Sequence, residues 1–225
     1  MEFMNPVVIV GHYGSGKTEF TANLAVQLNA RENRPVVVAD LDIVNPYFRV
    51  RELTESLAGQ GIRVLSSNYA EDYYLDMPAL AASIQTCFSE QDQISLIDVG
   101  GDPAGATVLA CYSPLLRNRE YAMWMVVNAN RPQTATAENI RAFISAIEQA
   151  SRLKVNGLVN NTHLLQETTK EDILRGDALV RQVSEETGLP VVYTMIQEHL
   201  REETEPLELA GEPFYIRVAV RPDWL

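Results

Sequence analysis

The sequence predicts an α/β protein with an open, mostly parallel, twisted sheet and helices on both faces. Short runs of β-branched residues alternate with longer stretches of helical period along the chain, which is the pattern of parallel strands joined by crossover helices. The first strand-like run also leads through a glycine-rich turn directly into a helical stretch. No low-complexity linker or repeat divides the chain, so residues 1–225 are predicted to form a single domain.

Seven strands are predicted from short apolar runs that end in turn-forming or polar residues. Residues 214–222 also alternate as a strand does, ahead of a proline. The seven predicted strands are Val7–Val10, Val36–Ala39, Ile62–Leu65, Ile94–Ile97, Met123–Val127, Asn156–Val159 and Val191–Tyr193.

Helices are predicted where apolar residues recur at i, i+3, i+4 and i+7, most clearly over residues 20–28 and 140–147. The polar segment 66–76 contains three tyrosines and is predicted to be a long loop before a helix at 77–88. Each predicted helix should bury its apolar stripe against the sheet.

Two helix starts carry capping signals. Thr168 followed by Glu171 is a capping-box pattern and predicts the beginning of a late helix. Asp102 before Pro103 is typical of an N-cap with proline at the first helical position.

Composition and charge narrow the function classes. Thirty acidic and eighteen basic side chains give a net charge of −12 at pH 7, which repels nucleic-acid phosphates and anionic lipids. No apolar run approaches the ~18 residues of a membrane helix, and no basic amphipathic stretch closes the chain. Cys87 and Cys111 form no CxxC pair, which favours a reducing cytoplasm. We expect a cytoplasmic protein without a membrane segment, for which nucleic-acid partners are disfavoured.

Residues 11–18 read Gly-His-Tyr-Gly-Ser-Gly-Lys-Thr and match G-x-x-x-x-G-K-[ST] at every fixed position. In this motif the backbone N–H groups and the N-terminus of the next helix point at a polyphosphate. Lys17 is expected to contact the β- and γ-phosphates, and the Thr18 hydroxyl to bind Mg²⁺. An ordinary glycine-rich turn is the alternative. The nucleotide-binding residues predicted on this segment are Gly11, Gly14, Ser15, Gly16, Lys17, Thr18 and Glu19.

Carboxylates end the second and fourth predicted strands, at the edge where ligands of open α/β sheets gather. Asp40 and Asp42 lie two residues apart and so point to one side of their strand; the alternative is that they begin a turn. Residues 98–101, Asp-Val-Gly-Gly, follow the fourth strand. They predict that Asp98 holds Mg²⁺ through water and that the Gly101 N–H senses a γ-phosphate. A strand that ends in a glycine turn is the alternative there.

The elements GHYGSGKT, DLD and DVGG, in this order, resemble the MinD/ParA group of P-loop ATPases. That group belongs to the SIMIBI class, with the nitrogenase iron protein and the CobQ/CobB enzymes, and the resemblance covers most of the chain. It implies an ATP-dependent switch that forms a face-to-face homodimer around nucleotide, with strand order 3-2-1-4-5-6. Carried over by position, it implies that Asp40 lies by the Mg²⁺ shell. Asp42 would orient the attacking water and, with Lys17, form the predicted catalytic pair.

The resemblance also suggests which residues read the base. The run Gly157–Asn161 is similar to the family strand whose terminal asparagine reads adenine, so Asn161, and next to it Asn160, are the expected base-binding residues. An amide can pair with both the donor and the acceptor on the edge of adenine. The alternative is that the two asparagines only begin a loop.

The second residue of the loop departs from the resemblance. MinD and ParA have a lysine there that crosses the dimer to the partner's phosphates, whereas this chain has His12. Arg49 and Arg51, which follow Asp42 where a first switch would lie, are candidates to replace that cation. The alternatives are that both arginines are exposed charges and that His12 packs against the nucleotide or solvent.

Three functions fit these observations. The leading hypothesis is a Mg–ATP-binding switch that hydrolyses ATP slowly and whose nucleotide state controls a protein client, in cofactor or metal-centre maturation. The second is a small-molecule ligase or kinase of the same fold, similar to dethiobiotin synthetase, with its substrate held over residues 66–76. The third is a nucleotide-binding module that does not hydrolyse, which His12 in place of lysine makes plausible.

Overall fold

The computed structural model describes residues 4–42, 54–66 and 77–217. The strands within these residues are β1 (Val7–Val10), β2 (Val36–Leu41), β3 (Arg63–Ser66), β4 (Ile94–Val99), β5 (Ala122–Val127), β6 (Gly157–Asn160), β7 (Val191–Gln197) and β8 (Glu212–Ile216). They form one eight-stranded sheet in the order β3-β2-β4-β1-β5-β6-β7-β8. Every neighbouring pair is parallel.

Helices connect the strands. They are α1 (Lys17–Arg31), α2 (Thr54–Ala58), α3 (Met77–Ser89), α4 (Pro103–Ala106), α5 (Leu109–Leu116), α6 (Ala137–Ser151), α7 (Lys170–Thr187) and α8 (Arg201–Thr204). Short 3₁₀ turns occur at Pro132–Thr134 and Glu198–Leu200. None of the helices in the described ranges has the length and apolar character that crossing a bilayer requires.

The core lies on both faces of the sheet. Along the central strand β1, Val8 and Val10 pack on one face while Val7 and Ile9 pack on the other, as the alternation of side chains in a strand requires. Helices α3, α5, α6 and α7 cover the first face, and α1 and α2 cover the second. The predicted fold class, a parallel α/β sheet with helices on both faces, is confirmed.

The predicted strand order 3-2-1-4-5-6 is wrong, because β4 lies between β2 and β1. Hydrophobic periodicity identifies a strand, but it does not say where a crossover returns the chain to the sheet. Here α3 takes the chain from the edge strand β3 past β2 before β4 begins. As a result, Asp98 on β4 lies opposite Asp40 on β2 and opposite Ile9 on β1. The sheet also has an eighth strand, β8, in the alternating region noted near the C-terminus.

The capping box of α7 lies one residue later than predicted. The Thr169 hydroxyl accepts a hydrogen bond from Asp172 N at 3.3 Å, and Asp172 Oδ2 accepts one from Thr169 N at 3.1 Å. Thr168 is engaged in the preceding loop, where its hydroxyl accepts from Leu164 N at 2.9 Å and donates to Leu165 O at 2.5 Å. The prediction failed because both positions are threonine and both have an acidic residue three positions later.

Of the remaining local predictions, two are confirmed and the others concern residues outside the described ranges. The N-cap at Asp102 is confirmed, since its Oδ1 accepts from Gly105 N at 2.6 Å and proline occupies the first turn of α4. The helix predicted at 77–88 is confirmed as α3. Residues 67–76, Arg49 and Arg51 lie outside the described residues, so the predictions made for them remain predictions.

Candidate functional site

The glycine-rich segment between β1 and α1 forms a closed loop at the carboxyl edge of the sheet. Gly14 and Gly16 have φ angles of 74° and 84°, which lie in the left-handed region that glycine adopts most readily. Ser15 N donates to His12 O at 3.0 Å, and Tyr13 N donates to Gly101 O, just after β4, at 3.0 Å. The 15-residue helix α1 begins immediately after this loop. Free N–H groups at such a helix start bind anions.

The residues predicted to hold magnesium come together beside this loop. Thr18 Oγ1 donates to Asp98 Oδ2 at 2.7 Å. Asp40 lies opposite Asp98 on the neighbouring strand, and Asp42 N donates to Asp40 Oδ1 at 3.0 Å. The structure therefore gathers Thr18, Asp40 and Asp98 from three separate segments of the chain.

Burial sets the electrostatics of the cluster. Burial raises the pKa of Asp98 to about 7; Lys17 and the Thr18 hydrogen bond oppose this rise, while Asp40 and Asp42 add to it. Burial likewise lowers the pKa of Lys17, against the attraction of nearby carboxylates on Asp98, Asp42 and Asp102. The site thus pairs one buried cation with several buried carboxylates.

The donors fit a divalent cation of the magnesium type. Asp98 Oδ1 is buried and has no hydrogen-bond partner among the described residues, and the Thr18 oxygen lies against the other oxygen of the same carboxylate. No group of three or more His, Cys, Asp or Glu side chains within 4–42, 54–66 and 77–217 forms a metal cage. Magnesium in phosphate sites uses one or two protein ligands, waters and the phosphates, which agrees with this sparse set.

A cavity of about 160 Å³ opens beside the loop. Lys17, Thr18 and Asp42 line one end of it, and Glu19 of α1 lines it as well. Its wall also includes side chains from the loop after β6, from β7 and β8 and from the start of α7, namely Leu165, Thr168, Ile173, Met195, Gln197 and Ile216. The cavity is a cleft with a charged end and a mainly apolar end.

Not every predicted nucleotide-binding residue faces this cleft. Gly14, Gly16, Lys17, Thr18, Glu19, Asp42 and Asn161 line it, whereas Gly11, Ser15, Asp40, Asp98, Gly101 and Asn160 are absent from its described lining. Ser15 is fully buried within the loop. A Cβ at Gly101 would lie 3.1 Å from Lys17 Nζ, so this glycine is nevertheless adjacent to the charged end.

The two asparagines that end β6 have different roles. Asn161 Nδ2 donates to Ser15 O at 2.7 Å, which places its amide over the glycine-rich loop and in the cleft wall. Asn160 Oδ1 accepts hydrogen bonds from Thr162 N at 3.1 Å and from Thr162 Oγ1 at 2.8 Å, and its Nδ2 donates to Ile173 O at 3.4 Å. Asn160 therefore holds the loop after β6 and does not line the cleft.

His12 packs against helix α6. Its ring lies 5.5 Å from the Phe143 ring, centroid to centroid, in an edge-to-face arrangement, and its Nδ1 lies 3.0 Å from Tyr13 O. The alternative stated for His12 is packing against the nucleotide or solvent, whereas among the described residues its ring contacts the side chain of Phe143.

Sequence reasoning missed Arg131, in the loop after β5. Arg131 Nε donates to Gly14 O at 3.1 Å, and Arg131 lines the cleft together with Lys17. No motif marks this arginine. The available signal was its place just after a predicted strand, at the edge where the other site residues lie.

The sequence matches no protein-family model, and no curated protein is similar to it. Solved structures are similar in fold. The signal recognition particle receptor FtsY from Elizabethkingia anophelis is 20% identical, with a TM-score of 0.55 over 86% of this chain and 59% of that chain. Chloroplast FtsY from Physcomitrella patens is 18% identical, with a TM-score of 0.57 over 86% and 59%. FlhF complexed with GMPPNP and Mg²⁺ is 16% identical, with a TM-score of 0.52 over 79% and 63%.

This chain spans less than two thirds of the length of each of these structures. At such identities the likeness shows the fold alone, a parallel α/β sheet of the P-loop type. It does not extend to the MinD/ParA group, and membership of that group remains a prediction.

Proposed function

We propose that this protein is a Mg–ATP-binding P-loop ATPase that acts as a nucleotide-dependent switch. The observation that carries the proposal is the 2.7 Å hydrogen bond from Thr18 Oγ1 to Asp98 Oδ2, beside the buried Lys17. This contact joins the last residue of the G-x-x-x-x-G-K-[ST] motif to a strand-end aspartate, the pair that holds Mg²⁺ in P-loop proteins. The fold shared with FlhF, which is complexed with GMPPNP and Mg²⁺, supports binding of a magnesium nucleotide.

The proposed reaction is hydrolysis of the terminal phosphoanhydride. The oxygen of water bonds to the γ-phosphorus as the bond from the γ-phosphorus to the β,γ-bridging oxygen breaks, and the electron pair of that bond stays on ADP. The water protons leave with inorganic phosphate, and one passes to solvent near neutral pH. Lys17 contacts the β- and γ-phosphates, and Asp42, which lines the cleft, orients the water. Thr18 and Asp98, with Asp40 behind them, would hold Mg²⁺, which would neutralise phosphate charge.

We propose ATP as the nucleotide on the evidence of the cleft wall. FlhF and one FtsY structure are complexes with guanine nucleotides, and guanine is usually read by a carboxylate that accepts from its ring N–H and amino group. In this cleft the described carboxylates are Glu19 and Asp42, on α1 and at the end of β2. The loop after β6 instead contributes the Asn161 amide, which can both donate to and accept from adenine.

The client and the assembly form part of the proposal. We propose that nucleotide state controls contact with a protein client, in cofactor or metal-centre maturation in the cytoplasm, and that ATP promotes a homodimer. Sedimentation of the protein with ADP and with a non-hydrolysable ATP analogue tests the assembly. A larger species with the ATP analogue alone supports it, and the same size in both nucleotides contradicts it.

Calorimetric titration with ATP and with GTP, in Mg²⁺, tests the binding site. Wild type is expected to bind ATP more tightly than GTP. The Lys17→Ala variant should bind ATP more weakly by on the order of 100-fold, because a charged hydrogen-bonding contact to phosphate is lost. Lys154→Ala is the matched control, since this exposed lysine pairs with Glu148 and is not part of the cleft wall.

Asn161→Asp tests the base. A carboxylate at this position supplies the acceptor that guanine prefers, so the preference for ATP over GTP should fall or reverse. ATP binding by Lys17→Ala as tight as wild type would contradict the site, and equal ATP and GTP affinities in wild type would contradict the assignment of adenine.

A further inference from the structure

We propose that Arg131 supplies, from within the same chain, the second positive charge on the γ-phosphate that the loop lysine of MinD and ParA supplies from a partner. Hydrolysis would then need no second copy of this chain. The inference rests on the proposed ATPase function and adds a residue and a consequence that the sequence did not indicate.

The backbone of Arg131 is held firmly at the carboxyl edge of the sheet. Arg131 N donates to Asn128 O at 3.0 Å, and Thr134 N donates to Arg131 O at 2.9 Å. Asn128 and Thr134 are both buried, and Thr134 Oγ1 donates to Asn128 O at 2.8 Å. The loop after β5 therefore presents the arginine from a fixed base.

The side chain crosses from this loop to the glycine-rich loop. Arg131 Nε donates to Gly14 O at 3.1 Å, and the guanidinium carbon lies 2.9 Å from the point that a Cβ on Gly14 would occupy. Nη1 and Nη2 make no hydrogen bond or ion pair with any residue in the described ranges. Because one nitrogen anchors the group, the other two remain available beside the glycine-rich loop, in the wall of the cleft.

The charge balance at this end favours such a role. Lys17 and Arg131 are the lysine and arginine side chains of the described cleft wall. Lys17 is already surrounded by Asp98, Asp42 and Asp102, whereas Arg131 is exposed and unpaired among the described residues. His12, at the position of the MinD and ParA lysine, packs against Phe143. Arg131 is therefore the cation left to meet an incoming triphosphate.

Negative charge builds up on the β,γ-bridging oxygen and the γ-phosphate oxygens as the bond from the γ-phosphorus to the bridging oxygen breaks. A guanidinium with two donors at that point stabilises this charge, which is how an arginine supplied in cis or in trans accelerates phosphoryl transfer. ADP lacks the γ-phosphate, so the contact should affect turnover far more than ADP affinity.

The test compares wild type with Arg131→Ala, Arg131→Lys and the control Arg117→Ala, an exposed arginine outside the cleft wall. Single-turnover ATP hydrolysis is measured over a wide range of protein concentration, with ADP affinity by calorimetry and thermal unfolding with ADP. Arg131→Ala should lose on the order of 10³-fold in rate and keep wild-type ADP affinity. Arg131→Lys should recover part of the rate, because a lysine keeps the charge without the planar fork.

A second readout does not depend on turnover. Wild type and Arg117→Ala should form a stable complex with ADP and aluminium fluoride, while Arg131→Ala should not, as the amount of ADP retained by the protein in aluminium fluoride will show. The inference is overturned if Arg131→Ala hydrolyses ATP as wild type does. It is also overturned if the variant loses ADP and ATP binding together, because the arginine would then only stabilise the glycine-rich loop. A wild-type rate per chain that rises with protein concentration would overturn it as well. Failure of the proposed function appears separately, as a wild-type protein that neither binds nor hydrolyses ATP.

Discussion

The carboxylate of Asp98 is expected to destabilise the protein when no metal or nucleotide is bound. Its side chain is buried, one of its oxygens has no hydrogen-bond partner among the described residues, and burial raises its pKa from 3.8 to about 7. We predict that Asp98→Asn, which removes the charge and keeps the shape, is more stable than wild type at pH 8 although it loses Mg²⁺-dependent nucleotide binding.

The magnitude follows from the pKa. Between pH 3.8 and about 7 the folded protein retains a proton on Asp98 that the unfolded chain releases, so the free energy of unfolding falls as the pH rises through this window. Each tenfold change in proton affinity corresponds to ~1.4 kcal/mol. The rise from 3.8 to about 7 therefore amounts to on the order of 4 kcal/mol above pH 7, which is an upper bound on the gain in Asp98→Asn.

Urea denaturation in a metal chelator, without nucleotide, measures this effect at pH 5 and at pH 8. The difference in unfolding free energy between Asp98→Asn and wild type should be larger at pH 8 than at pH 5. Asp92→Asn is the control, because Asp92 is exposed and its neutralisation should change stability little at either pH. A variant no more stable than wild type at pH 8, or a difference independent of pH, would refute the reasoning.

Two further predictions concern local geometry. Gly16→Ala would place a Cβ 2.1 Å from Asn161 Nδ2 at a φ of 84°, whereas Gly61→Ala meets no atom within 4 Å at a φ of 82°. Both variants should lose roughly 1–2 kcal/mol of unfolding free energy to left-handed backbone strain. In urea denaturation Gly16→Ala should lose more than Gly61→Ala, and it should also lose ATP binding. Equal losses of unfolding free energy would contradict the contact. Thr169→Ala removes the capping box shared with Asp172 and should lower the unfolding free energy by about 1 kcal/mol with unchanged ATP affinity in calorimetry, and a weakened affinity would show that the cap also shapes the cleft.

The features that the sequence predicted well are local ones. The phosphate loop depends on glycine, lysine and threonine at fixed spacing over eight residues, so its backbone is largely specified by its own letters. The place of Asp98 near the end of β4 was predicted because an apolar run leads into it, while its role in holding Mg²⁺ stays a prediction. The Asp102 cap likewise depends on residues within one turn of helix.

The predictions that failed or were absent concern contacts between distant segments. Thr168 and Thr169 offer the same local pattern, and only the loop that packs on Thr168 shows that Thr169 caps α7. Asn160 and Asn161 are neighbours with the same side chain, yet Asn160, which ends β6, bonds to Thr162 in the following loop, while Asn161 bonds to the glycine-rich loop.

The sequence by itself determined the fold class, the glycine-rich loop and the acidic strand ends, because each follows from residue types within a few positions of one another. The tertiary structure decided that β4 lies between β2 and β1 and so brings Asp98 beside Asp40. It also decided that Arg131 reaches Gly14, across 117 positions of sequence. Such pairings depend on how the crossovers return the chain to the sheet, which hydrophobic periodicity does not encode.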